Sequence, residues 1–128
     1  MSLTTVPHIV VGASAGGTEA LRVLLSGVPD NLPAAVLVVV HRSPQSPRVL
    51  EDLLASVSAL PMPEPVDGAP IQAGHAYVAP ADRHLMIESG RIRLSRGPKE
   101  NHSRPAVDVL FRSAAAHVGP NAIGVVLT

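Results

Sequence analysis

A three-layer α/β domain, with a mainly parallel, doubly wound sheet and a small antiparallel meander at one edge, is the fold this sequence predicts. Three observations carry that reading. Residues 8–11, 35–40 and 122–127 are apolar on both faces, as strands covered by helices on both sides are. Segments with helical spacing of apolar residues alternate with them, and such alternation gives a parallel sheet. Between Asp67-Gly68 and Ser95 the pattern changes to short alternating runs separated by turn residues, which reads as a meander.

Taken in order, residues 1–8 form a leader and 9–128 a single domain, although His8 already opens the first strand and only Met1 to Thr5 lacks any pattern. After that strand, a helix starting at Thr18 is expected to bury Leu21, Leu24, Leu25 and Val28 before Gly27, Pro29 and Pro33 end it. Residues 35–40, Ala-Val-Leu-Val-Val-Val, read as a central strand ending at His41. Ser46-Pro47 then starts a helix, with Val49, Leu50, Leu53, Leu54 and Val57 as its buried stripe. Pro61, Pro63 and Pro65 forbid regular structure and mark an internal loop. The meander is expected from residues 75–79, 84–88 and 91–95, with turns at Pro80-Ala81-Asp82 and Ser89-Gly90. Pro105 opens the last helix, burying Val107, Leu110, Phe111, Ala114 and Val118 before Gly119-Pro120 stops it, and residues 122–127 form a buried strand.

Composition narrows the function. The 128 residues carry no net charge, no Trp, one Tyr and one Phe, so neither a phosphate-neutralising surface nor a base-stacking platform is present. No apolar run approaches the ~20 residues that span a bilayer. With no Cys there is no disulfide or thiolate metal site, and the N-terminus lacks a secretory pattern. A cytoplasmic protein is expected.

The chemistry is concentrated at Gly12-Ala13-Ser14-Ala15-Gly16-Gly17-Thr18. A strand, a tight turn and a helix follow one another there, and the spacing matches the G-x-S-x-G turn that presents a nucleophilic serine. The first N–H groups of a helix lack internal partners and point, with its positive dipole end, into such a turn. Ser14 is therefore the candidate nucleophile and the Ala15 N–H the candidate oxyanion donor. A serine needs a base, and His41 leaves the neighbouring strand at the carboxyl edge, where ligands bind in such sheets. Thr128 ends the last strand at that edge too.

Other readings are weaker. As a dinucleotide fingerprint the segment lacks its middle glycine, and no acidic residue follows the second strand, although Arg42 and Ser43 suit a 2′-phosphate, so an NADP-binding Rossmann-like domain remains a distant alternative. A P-loop fails because Gly17 is followed by Thr18-Glu19 and not lysine. His75, His84 and Asp82 are imaginable as metal ligands but read better as ordinary sheet-edge residues. His8, His102 and His117 have no partner pattern, and Asp108 suits the first turn of a helix as a dipole-favoured carboxylate.

Together, the segment from Gly12 to Ala20, His41, Asp67-Gly68 with Gly74-His75-Ala76-Tyr77-Val78-Ala79-Pro80, His84, and Arg104-Pro105-Ala106-Val107-Asp108-Val109-Leu110-Phe111 resemble the catalytic domain of the chemotaxis protein-glutamate methylesterases, in order from about Ile9 onward. The resemblance implies hydrolysis of glutamate γ-methyl esters on chemoreceptor cytoplasmic domains, with related glutamine deamidation. Ser14 would match the nucleophile and His41 the general base, with no metal or organic cofactor, and a receiver domain or methyltransferase as further partner. Where the family often has Thr, Gln and Ser, this chain has Ala15, Val40 and Ala106. The family's triad aspartate would follow the strand at residues 123–128, beyond this chain. The resemblance therefore implies a C-terminally incomplete domain with weak or no esterase activity, or alternatively a non-catalytic docking or regulatory module of the same fold.

Overall fold

A computed structural model describes residues 6–43, 45 and 47–128; Met1 to Thr5 of the expected leader and the expected helix start at Ser46 lie outside the described residues. Strand β2 (Ala35–Val40) is buried at every position, as a strand with apolar side chains on both faces must be when both faces are covered. It pairs in parallel with β1 (His8–Ala13), Ala13 lying opposite Val40, and β1 pairs in parallel with β6 (Ala122–Leu127), Ala13 lying opposite Leu127. With β3 (Ala76–Val78) the sheet order is β3-β2-β1-β6, all parallel. Strand order therefore reverses at β1, which makes the carboxyl end of β1 the switch point of the sheet.

Two cores flank the sheet. On one face, Val11, Ala13, Val36, Val38 and Val40 meet Leu21 and Leu25 of α1 (Thr18–Gly27) and Leu54 of α2 (Val49–Val57). On the other, Val10, Leu37 and Val39 meet Leu110 and Ala114 of α3 (Val107–His117), and Leu85, Ile87 and Ile92 of an antiparallel pair, β4 (His84–Glu88) and β5 (Arg91–Ser95). The expected three-layer, mainly parallel architecture is present.

Several details differ from expectation. Residues 75–79 do not belong to a meander. Ala76, Tyr77 and Val78 are consecutively buried and form the outermost strand of the parallel sheet, leaving a two-stranded ribbon that packs on its face beside α3. The buried stripe expected along α2 reduces to Leu54 with partly buried Leu50 and Val57, while Val49 and Leu53 are exposed, because this short helix touches the core along a narrow line. In α1, Leu21 and Leu25 are buried and Leu24 and Val28 only partly so. Strand β6 is not fully buried either: it lies at the edge of the sheet, with Ile123 and Val126 exposed.

One close approach ties α3 to the sheet. A Cβ placed on Gly12 would lie 2.4 Å from the Val107 side chain, so the first residue of α3 rests directly on the backbone of β1. Gly12→Ala is expected to cost ~1–3 kcal/mol through overpacking, lowering Tm by several degrees. Thermal denaturation followed by circular dichroism checks this, and an unchanged Tm would deny the contact.

Candidate active site

Strand β1 stops at Ala13, and the next residue turns the chain into a short 3-10 turn, Ala15–Gly17, that leads straight into α1. Ser14 has extended backbone, φ −81° and ψ 171°, and its exposed side chain makes no capping bond. Two backbone bonds hold the turn: Ser14 N–H donates to the Leu127 carbonyl at 3.2 Å, and Gly17 N–H donates to the Ser14 carbonyl at 2.9 Å. A Cβ on Gly17 would come within 2.7 Å of the Leu127 carbonyl oxygen, so glycine is what lets β6 pass this close. A Cβ on Gly16 would lie 3.8 Å from Ser14 Oγ and 4.0 Å from the Thr128 carbonyl carbon. Ser14 and Thr128 thus converge over the turn. Ala15 begins it, and its N–H is among the donors that a helical start leaves without an internal partner.

His41 follows β2 as Ser14 follows β1. Its N–H donates to the Ala13 carbonyl at 2.9 Å, which extends the β1–β2 ladder by one step. The backbones of neighbouring strands run about 5 Å apart, so a serine and a histidine just past paired residues lie within side-chain reach of one another. Both are exposed at the carboxyl rim. Among the described residues, His41 Nε2 accepts from the Val107 N–H at 3.3 Å, and no carboxylate contacts the ring. Neutral imidazole accepts at one nitrogen only, so this bond puts the ring proton on Nδ1 and the lone pair on Nε2. That is the tautomer in which Nε2 can take a proton from a hydroxyl.

The surrounding loops are fixed by ion pairs. Arg42 donates to both carboxylate oxygens of Glu51 on α2, at 2.6 and 2.8 Å, and also to the Ala79 carbonyl past β3 at 3.1 Å. Both side chains are nearly buried, and among the described residues Arg42 Nε has no partner. Burial pushes the Glu51 carboxyl upward, but the bonds from Arg42 and from its own backbone outweigh it and hold the group below the usual carboxylate range. Arg104 donates from Nε and Nη2 to Asp82, and from Nη1 to the Arg96 and Gly97 carbonyls. These Arg104 bonds hold the Asp82 carboxyl below its usual range.

The sequence reading of His84 as an ordinary sheet-edge residue does not hold, since it is 3% exposed. Its Nε2 lies 2.8 Å from the Pro98 carbonyl and its Nδ1 accepts from the Ala106 N–H at 3.3 Å. It is therefore not an edge residue facing solvent. Nor does it meet the others once weighed as metal ligands, since Asp82 is taken by Arg104 and His75 sits against the Ala73 carbonyl and the Tyr77 ring. Among the described residues no three His, Asp or Glu side chains come together as a metal site. Asp108 lies in the first turn of α3, as expected. Arg42, spent on Glu51, is unavailable to a 2′-phosphate, so of the two residues that favoured a dinucleotide only Ser43 remains. Cavities of about 600 Å³, beside His8 and His117, and about 540 Å³, beside Pro63 and Tyr77, are lined by residues other than Ser14 and His41. Among the described residues no helix is long and apolar enough to cross a membrane.

Comparison with known proteins bears on this rim. A family model described as CheB methylesterase matches residues 9–128. A protein-glutamate methylesterase/protein-glutamine glutaminase 1 of Xanthomonas euvesicatoria pv. vesicatoria is 46% identical over 98% of this chain, and a protein-glutamate methylesterase/protein-glutamine glutaminase of Yersinia pestis bv. Antiqua is 44% identical over 94%. The chain spans 36% and 35% of those two relatives. The crystal structure of the Thermotoga maritima CheB methylesterase catalytic domain superposes with a TM-score of 0.86 at 34% identity, over 94% of this chain and 66% of that one. With the family model covering nearly the whole sequence and the fold matching a solved member, the chain belongs to the CheB methylesterase family.

Proposed function

We propose that this chain is part of a serine hydrolase that removes methyl groups from glutamate γ-methyl esters on the cytoplasmic domains of chemoreceptors. The observation that carries the reading is the pair of strand ends: a serine past β1 and a histidine past β2, at the switch point of the sheet, with the imidazole lone pair on Nε2. The printed names of the relatives, methylesterase and glutaminase, supply the substrate class and support a second reaction on glutamine.

In this reading Ser14 Oγ attacks the ester carbonyl while His41 Nε2 takes its proton. The Val107 N–H bond to that nitrogen gives way as the lone pair takes up the serine hydroxyl. The Ala15 N–H receives the developing oxyanion. Collapse expels methanol, which carries away the proton held by His41, and water then releases the glutamate carboxylate by the same steps in reverse order. With glutamine the leaving group is ammonia. An exposed rim suits a side chain presented on the surface of another protein, and the cytoplasm is where such a receptor domain lies. A receiver domain or a methyltransferase is a further partner in keeping with the family.

A second reading, a docking or regulatory module of the same fold, takes its support from the His41 Nε2 lone pair being held by the Val107 N–H at 3.3 Å. Methanol release from methylated receptor fragments decides between them. It should be compared for the 128-residue chain and for a chain continued past Thr128 by the residues that follow the aligned stretch in the Thermotoga maritima relative. Turnover by the extended chain exceeding that of the shorter one by ~10⁴-fold, the scale on which the acid acts in a serine triad, is expected. No turnover by either would leave the docking module.

A further inference from the structure

We propose that His84 is a positioning residue for His41, acting through the start of α3; the inference rests on the reading of His41 as the base. Helix α3 begins poorly by its own means. Its N-cap is Ala106, which has no side-chain oxygen to offer, and no side-chain capping bond comes from that residue. The first amides of the helix need partners from elsewhere. Two imidazoles supply them: His84 Nδ1 accepts from the Ala106 N–H and His41 Nε2 from the Val107 N–H, each at 3.3 Å.

The two rings are not equivalent. His41 is exposed and bonded at one nitrogen, whereas His84 is buried and held at both nitrogens, with Nε2 donating to the Pro98 carbonyl at 2.8 Å. His84 thereby joins the start of β4, the loop after β5 and the first residues of α3. The Val107 side chain, pressed on Gly12, fixes the same helix end from the sheet side. With Ala106 held, the Val107 N–H stands at the place where it selects the Nδ1–H tautomer of His41. Without that bond the next amide shifts and His41 is left to populate either tautomer.

Two substitutions separate the bonds of His84. His84→Asn keeps an acceptor, Oδ1, where Nδ1 faces Ala106, and loses the donor to Pro98. His84→Gln keeps a donor near Nε2 and loses that acceptor. In the 128-residue chain, where among the described residues no carboxylate contacts His41, two-bond ¹H–¹⁵N correlations at a pH where the rings are neutral report which nitrogen of His41 carries the proton, and turnover is measured in the extended chain. The expected result is a wild-type Nδ1–H signature and turnover within about twofold for Asn. For Gln, a mixed signature and a kcat lowered by ~10- to 100-fold with KM little changed are expected, the scale of a small misplacement at the reacting centre. Matching His41 signatures in the two variants would overturn the proposal. The signature is read without substrate, so it is decided separately from the base reading, which fails if His41→Ala leaves turnover intact.

Discussion

Ser14→Ala in the extended chain should lower methyl ester hydrolysis by roughly 10⁴-fold or more, with KM little changed, because the substitution removes the atom proposed to form the acyl bond and leaves the rim otherwise as it was. Among the described residues Ser14 makes no side-chain capping bond that alanine would break, and its backbone is extended, a conformation alanine adopts freely, so the loss would not come from unfolding. His41→Ala should cost about as much, and the double variant little more than either, since a nucleophile and its base act as a unit. Steady-state methanol release, with the thermal transition of each variant as control, measures this. A Ser14→Ala protein retaining turnover within tenfold of the parent would remove Ser14 from the chemistry.

Glu51→Ala should be strongly destabilising, at about 3–5 kcal/mol, because it leaves the nearly buried Arg42 guanidinium without its counter-charge. Replacing both partners, Arg42→Met with Glu51→Leu, should cost far less, since no charge is then stranded. Urea unfolding of the single and double variants distinguishes the two. The same pair sets a pH dependence. The carboxyl of Glu51 titrates lower in the folded chain than its ordinary value near 4.5, so its stabilisation is complete above that value and disappears as pH falls through the lower, folded one. Asp82, Glu100 and Glu19, each beside an arginine, are shifted the same way, but as solvent-screened surface pairs they add little to the fall. Urea midpoints should therefore drop on going from pH 7 to pH 3, and Glu51→Gln should flatten part of that drop.

Much of this was legible in the residues. The strands with two apolar faces, β1 and β2, had only one environment open to them, and their ends fixed where Ser14 and His41 emerge. The outer parts of the fold were less legible. Strand β3 is three residues long and sits between His75 and Pro80, so its neighbours imitate the alternation of a hairpin although its own residues are all buried. Five apolar residues on α2 suggested a broad buried stripe, but a helix of nine residues beside α1 covers little more than Leu54. His84 could not be foreseen, because its partners are backbone atoms at Pro98 and Ala106 that only the folded chain brings to it. The one trace in the sequence is Ala106 itself, a helix start without a capping side chain.

The account depends on a nucleophilic hydroxyl at the end of β1 served by an imidazole at the end of β2. The most direct measurement is covalent labelling of the extended chain with a fluorophosphonate, the modified residue located by peptide mass spectrometry and the rate followed in parent and His41→Ala proteins. The account predicts a single adduct on Ser14 that forms much more slowly once His41 is replaced. An adduct on another serine, no adduct in a protein that hydrolyses the ester, or a labelling rate indifferent to His41 would contradict it.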